Sequence, residues 1–268
     1  MKERKGFTLI ELLVVISIIA LLMSVLMPSL NRVRKQGKSV VCQNNLRNWG
    51  VAAIGYSHEN NYRLELGYDL ALWIYELKPY MGYSDEKTRK KDDVSLCPIA
   101  SKARNHPSGG LGPGHGLGPL SAWGLYGGDG YLSGMTGSYG INGWVYRETR
   151  SDASDDLLRK SWNSLNVIGA NKIPLIGGNY RYAAYPEAWH EPPEYEVGAE
   201  YSGLGSFAVN RHNGFINMVF LDGSTRKVGL KELWILQWHK EWKADFATRT
   251  SRAGIAWPEW MEGFKDYM

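Results

Sequence analysis

Few side chains in this sequence have a type and spacing that suggest chemistry, and the first is Glu11. It lies inside the run from Phe7 to Met27, where nearly every other residue is apolar. An ionised carboxylate in hydrocarbon costs about 2–3 kcal/mol even on lenient insertion scales, so an acid in such a run marks a function. A second set is the two cysteines, Cys42 and Cys97. They lie too far apart for zinc-ligand spacing, so no metal is expected from them. A third is His212 and Asp222, within FAVNRHNGFINMVFLDGSTRKV. A histidine and an aspartate suggest an acid–base pair, but residues 215–221 between them read as a strand. Ten extended residues span roughly 33 Å, too far to share a proton. Both residues therefore read as turn-fixing: His212 bonding to backbone beside Asn213-Gly214, and Asp222 accepting amides in a hairpin with Gly223.

Weaker candidates fall away on context. His106 and His115 lie in HPSGGLGPGHGLGPL, whose six glycines and three prolines make it a loop without a nearby carboxylate. No strand leads into those glycines and no Lys-Ser/Thr follows, so they do not cradle phosphate. Glu187, Glu191, Glu194 and Glu196 could supply a carboxylate pair for glycosidic chemistry, but their segment is rich in Pro and Tyr and reads as a loop. The acidic stretch Ser151-Asp152-Ala153-Ser154-Asp155-Asp156 reads as the capped start of a short helix. It lacks the Gly and distal Glu of a calcium loop, so calcium is only a minor expectation. The sequence contains no nucleophile elbow, HExxH pair or phosphate loop, and the chain is read as not an enzyme.

The elements that position these residues begin with the apolar run. About 20 apolar residues suffice to cross a bilayer as a helix. Lys2, Arg4 and Lys5 precede the run and predict a cytoplasmic N-terminus, with the remainder of the chain outside. A removable secretory signal has a shorter apolar region and a small-residue cleavage site, which Ala20-Leu21-Leu22 does not supply. Beyond Pro28, Cys42, Leu46, Trp49, Ala53 and Tyr56 step by four, three, four and three, forming one helical stripe. The sequence thus predicts one long helix over 7–58, with residues 7–27 transmembrane, Pro28 and Gly37 as kink positions, and an end at His58-Glu59-Asn60-Asn61. Residues 138–144 and 167–178 read as short strands with turns. Outside the cytoplasm a disulfide between Cys42 and Cys97 is permitted. It would close a loop of about 55 residues and contribute on the order of 4 kcal/mol. The alternative is two buried thiols.

Formal charge is +4 over 268 residues, and the leader Lys2, Glu3, Arg4 and Lys5 accounts for +2 of it. The remaining excess is too small to suggest nucleic acid, and no basic run carries stacking aromatics. Tryptophan (11) and tyrosine (16) are abundant beside phenylalanine (6), a bias suited to half-buried surfaces and interfaces.

Gly6-Phe7-Thr8-Leu9-Ile10-Glu11 resembles the cleavage and methylation site of type IV prepilins and type II secretion pseudopilins. The family pattern is a basic leader ending in Gly, a hydrophobic residue, and Glu fifth after the cut, followed by an apolar helix. His212, nine further residues and Asp222-Gly223 resemble an H-x9-D-G signature near the C-terminal end of certain large prepilin-like proteins, as does the Trp-rich tail after it. The resemblance implies a leader over 1–6, the helix over 7–58 and an extracytoplasmic globular domain over 59–268. It implies an α+β pilin-like fold, with the long helix packed on an antiparallel sheet bearing long loops. It further implies cleavage after Gly6 by a prepilin peptidase, methylation of Phe7, residence in the inner membrane, and assembly with other pilin or pseudopilin subunits, without cofactor. The competing expectation is a prepilin-anchored surface protein that binds or degrades carbohydrate, for which exposed coplanar aromatics beside acids would be the sign.

Overall fold

The computed structural model describes residues 9–65, 72–83, 94–100, 102–103, 119–124, 136–146, 153–196, 203–242 and 257–267. The chain divides into two units, Met1–Lys38 and Ser39–Met268. In the first, every described residue belongs to helix α1 (Leu9–Glu59), and every one from 9 to 38 is exposed. Ser17, Ser24 and Ser29 return their hydroxyls to carbonyls of the preceding turn, so these three hydroxyls are satisfied within the helix. Pro28 and Gly37 both lie inside α1.

In the second unit α1 runs on to Glu59, close to the expected end. The predicted stripe is the buried one: Cys42, Leu46, Trp49, Ala53 and Tyr56 are all in the core. The helix stops where Asn61 and Tyr62 take left-handed backbone (φ 55 and 61°) and Asn60 returns its amide to Tyr56 O. Helix α2 (Leu72–Leu77) supplies Trp73, which meets Trp49 edge to face at 4.8 Å and donates its indole N–H to Tyr182 O.

A five-stranded sheet is built from β4 (Tyr139–Asn142), β5 (Pro174–Gly178), β6 (Ala183–Ala184), β7 (Phe215–Phe220) and β8 (Thr225–Gly229), in the order β6-β4-β5-β7-β8. Three of its pairings are antiparallel, as expected of the α+β fold, and the two-residue β6 adds one parallel pairing with β4 at the sheet edge. The reason is the path between β5 and β6: the chain reverses direction after β5 but pairs on the far edge of β4, so β6 runs antiparallel to β5 and parallel to β4. A smaller sheet joins β1 (Lys102–Ala103), β2 (Ser121–Gly124) and β3 (Thr136–Gly137).

Strand β7 shows why the sheet sits where it does. Its period of two sends Val219, with Leu221 just beyond, into the core shared with α1, and sends Ile216, Met218 and Phe220 into a second core on the opposite face. That second core is roofed by Leu233, Trp234, Trp238 and Trp242 from the Trp-rich tail. Both faces are therefore covered, which explains the nearly continuous apolar run of β7. The acidic stretch also behaves as read, within the described residues. Ser154 caps the helix Asp155–Lys160 by accepting from Leu157 N, and Asp156 pairs with Arg159 and Lys160. Asp152 lies outside the described residues, as do His106 and His115.

Candidate functional site

Two places on the chain carry the residues singled out by sequence. The first is the start of α1. Glu11 stands in its first turn among exposed apolar side chains, with Leu9 78 % and Ile10 74 % accessible. Gly6 and Phe7 lie outside the described residues.

The second is assembled from three distant stretches. Cys42 comes from the buried stripe of α1, Cys97 from the turn-rich segment 94–100, and His212 from the residues just before β7. Each offers one ligand atom, and these atoms lie within 4.8 Å of one another. The fold thus brings Cys42 and Cys97 together, as a bridge between them requires, and holds them as thiols with a third group beside them. Cys97 Sγ lies 3.6 Å from His212 Nε2, and Tyr139 donates its hydroxyl to Cys42 Sγ at 3.4 Å. Both cysteines are almost wholly buried, at 2 % and 1 % accessible.

Local sequence explains why His212 points inward. Arg211 before it is buried and donates to four carbonyls, those of Pro119, Ser121, Ser138 and Asn179, which fixes the backbone at this point. Asn210 Oδ1 accepts from Gly214 N, while Asn213 and Gly214 both take left-handed backbone (φ 56 and 82°). This is the expected turn, but His212 does not bond to backbone as the sequence predicted. Its ring faces Cys97 and Asn217, whose Nδ2 lies 3.2 Å from Nε2. The tight turn accounts for the difference: with Asn213 and Gly214 supplying the bend, the imidazole is released to the interior. Asn217 also donates to Ser39 O and accepts from Gln43, so one amide ties the site to α1.

The two thiols are electrostatically unequal. The hydrogen bond from Cys42 is the largest influence on Cys97; burial opposes it, and His212 and Arg211 add to it, leaving Cys97 well below the usual thiol range. Burial, reinforced by the neighbouring Cys97, pushes Cys42 well above it.

At the far end of β7, Asp222 Oδ1 accepts from both Ser224 N and Ser224 Oγ, and Gly223 takes φ 79° in the hairpin turn. Asp222 and Gly223 thus do what the sequence suggested. A Cβ on Gly223 would meet Ile54 Cδ1 of α1 at 2.8 Å. His212 and Asp222 sit at opposite ends of one strand, each end of which reaches α1.

Sequence reasoning missed the third member of the cysteine cluster, since 115 residues separate Cys97 from His212. It also missed a half-buried ionic cluster. Glu187 lies 2.7 Å from Lys160 Nζ and 3.3 Å from His239 Nε2, which makes it a structural anchor of its segment. Glu191 and Glu194 are exposed, and residues 186–196 form neither helix nor strand, as expected of a loop.

Residues 1–27 match the family model described as the prokaryotic N-terminal methylation motif. No curated protein and no solved structure matches the chain. The match makes the N-terminal segment prepilin-like, and the helix that follows is long and apolar enough to cross a membrane once.

Proposed function

We propose that this protein is a structural subunit of a type IV pilus or type II secretion pseudopilus, with its globular unit outside the cytoplasm. A prepilin peptidase cuts between Gly6 and Phe7 and methylates the new amine. The observation that carries the reading is Glu11, fifth after the cut in a motif matched over residues 1–27 and set in a bare apolar helix. Cleavage creates an ammonium at Phe7, and pairing it with Glu11 of a neighbouring subunit neutralises two charges that are each costly in lipid. Such pairing fixes axial register between helices, as one buried polar residue does in a coiled coil.

The placement of the aromatics supports a structural role over carbohydrate recognition. Trp49, Trp73, Trp123, Trp144, Trp234, Trp238 and Trp242 are buried in the cores, and all but Trp242 donate the indole N–H to a backbone carbonyl. Among the tryptophans only Trp189 is largely exposed, at 64 %.

Processing is the direct test. Replacing Gly6 by a bulky residue leaves the precursor at full length in the membrane fraction, with Met1 still present. An N-terminus at Phe7 in that variant refutes prepilin-type maturation.

A further inference from the structure

A disulfide needs two sulfurs, yet here three potential ligands converge. Cys97 Sγ and His212 Nε2 are 3.6 Å apart. Two ligands of one tetrahedral zinc ion, with Zn–S about 2.3 Å and Zn–N about 2.0–2.1 Å, stand roughly 3.6 Å from each other. Cys42 Sγ completes a triangle in which no side exceeds 4.8 Å. Nε2 has one lone pair, so as a ligand it gives up the 3.2 Å contact with Asn217, whose Nδ2 keeps Ser39 O as its acceptor. Tyr139 donates to Cys42 Sγ, as outer groups do to ligating thiolates. Soft sulfur with imidazole selects zinc-like cations over calcium or magnesium.

We propose that Cys42, Cys97 and His212 form a binding site for one thiophilic divalent cation of the zinc class. The ligands are two thiolates and Nε2, with the fourth tetrahedral position left to water. Binding forms two metal–sulfur bonds and one metal–nitrogen bond, and releases to solvent the protons the two sulfurs carried. The site gives the histidine of the H-x9-D-G segment a purpose. The cation clamps the entry of β7 to α1 through Cys42, while the Asp222-Gly223 hairpin packs its exit against Ile54 of the same helix. This inference does not depend on the pilus reading.

The experiment uses the full chain in detergent micelles, reduced and handled without oxygen. Zinc is titrated in competition with a chromophoric chelator, and bound metal is counted by mass spectrometry. One zinc per chain is expected. Cys42→Ser and Cys97→Ser should lose it, and His212→Ala should weaken binding by at least about tenfold. Cobalt in place of zinc should give a thiolate-to-cobalt charge-transfer band, which reads the wild-type ligands directly should a variant fold poorly. Three results overturn the proposal: substoichiometric zinc with no cobalt–thiolate band, zinc binding unchanged in all three variants, or a Cys42–Cys97 disulfide in chain taken from its native membrane without reductant.

Discussion

A Cβ added to Gly50 would stand 2.6 Å from Val219 Cγ2, so α1 touches β7 with nothing between the helix backbone and a strand side chain. Val219 is fully buried and cannot swing aside. Gly50→Ala gains about 1 kcal/mol of helix propensity, but overpacking a filled core costs about 1–3 kcal/mol. Net destabilisation is expected, larger for Gly50→Val. Thermal unfolding of the full chain in micelles checks it, and an unchanged or raised midpoint in Gly50→Val would show that the interface is loose.

Asn142 donates to Pro174 O and Trp238 O at 2.9 Å each and accepts from Trp144 N, all out of water. Asn142→Leu keeps the approximate volume but strands three backbone groups, each costing about 1–3 kcal/mol when buried without a partner. A loss of several kcal/mol is expected. Asn142→Asp should be no better, since a carboxylate repels the two carbonyls that the amide satisfied. Chemical denaturation of both variants decides the point.

Burial pushes the Glu187 carboxyl upward, but hydrogen bonds from His239 and Lys160 outweigh it and hold the carboxyl below its ordinary range. A carboxylate depressed on folding contributes stability that is present above its unfolded value, about 4.3, and lost as pH falls through the lower folded value. Wild-type stability should therefore decline below about pH 4.3. Glu187→Gln should lose about 1–3 kcal/mol at pH 7 and show a shallower decline in acid. Unfolding midpoints of both proteins across pH 3–7 test this, and parallel curves would contradict it.

Under the proposed function, Glu11→Gln should be cleaved normally and should span the membrane at least as well, a neutral amide being cheaper there than a carboxylate. Assembly should fail. Glu11→Asp keeps the charge one methylene short and should assemble poorly. Recovery of sheared multimers, beside a membrane-fraction control, measures both. Normal multimers from the Gln variant would remove the pairing with Phe7.

The sequence made α1 legible because its information is local. The stripe from Cys42 to Tyr56 is a spacing, and spacings survive without knowledge of the fold. The same holds for Ser154 as a cap and for Asp222-Gly223 as a turn, each of which acts within a few residues. What escaped depends on contacts between distant segments. The second core needs Trp234 and Trp238 to lie over Phe207 and Met218, and nothing in the spacing of the tail says which sheet face it will roof. The parallel placement of β6 was hidden because two alanines carry no pattern. His212 was misread for a related reason: its neighbours Asn213 and Gly214 announce a turn, and a turn does not reveal which way the preceding ring points. Cys42 and Cys97 stand far apart along the chain, and only the fold brings their sulfurs within reach of each other and of His212.

The indole hydrogen bonds have a consequence for how this surface can change over time. Trp144, Trp234 and Trp260 donate to Pro186, His190 and Pro193, three carbonyls along one irregular segment. Elsewhere such a segment would owe its course to its own side chains, and every exchange on it would risk its path. Here it is held from beneath by rings that belong to other parts of the chain. The outward Glu191 and Glu194, on either side of the anchored Pro193, are thereby relieved of holding the segment's course. That is the condition under which an exterior can diversify quickly while the interior stays the same, as an epitope does on a fixed scaffold.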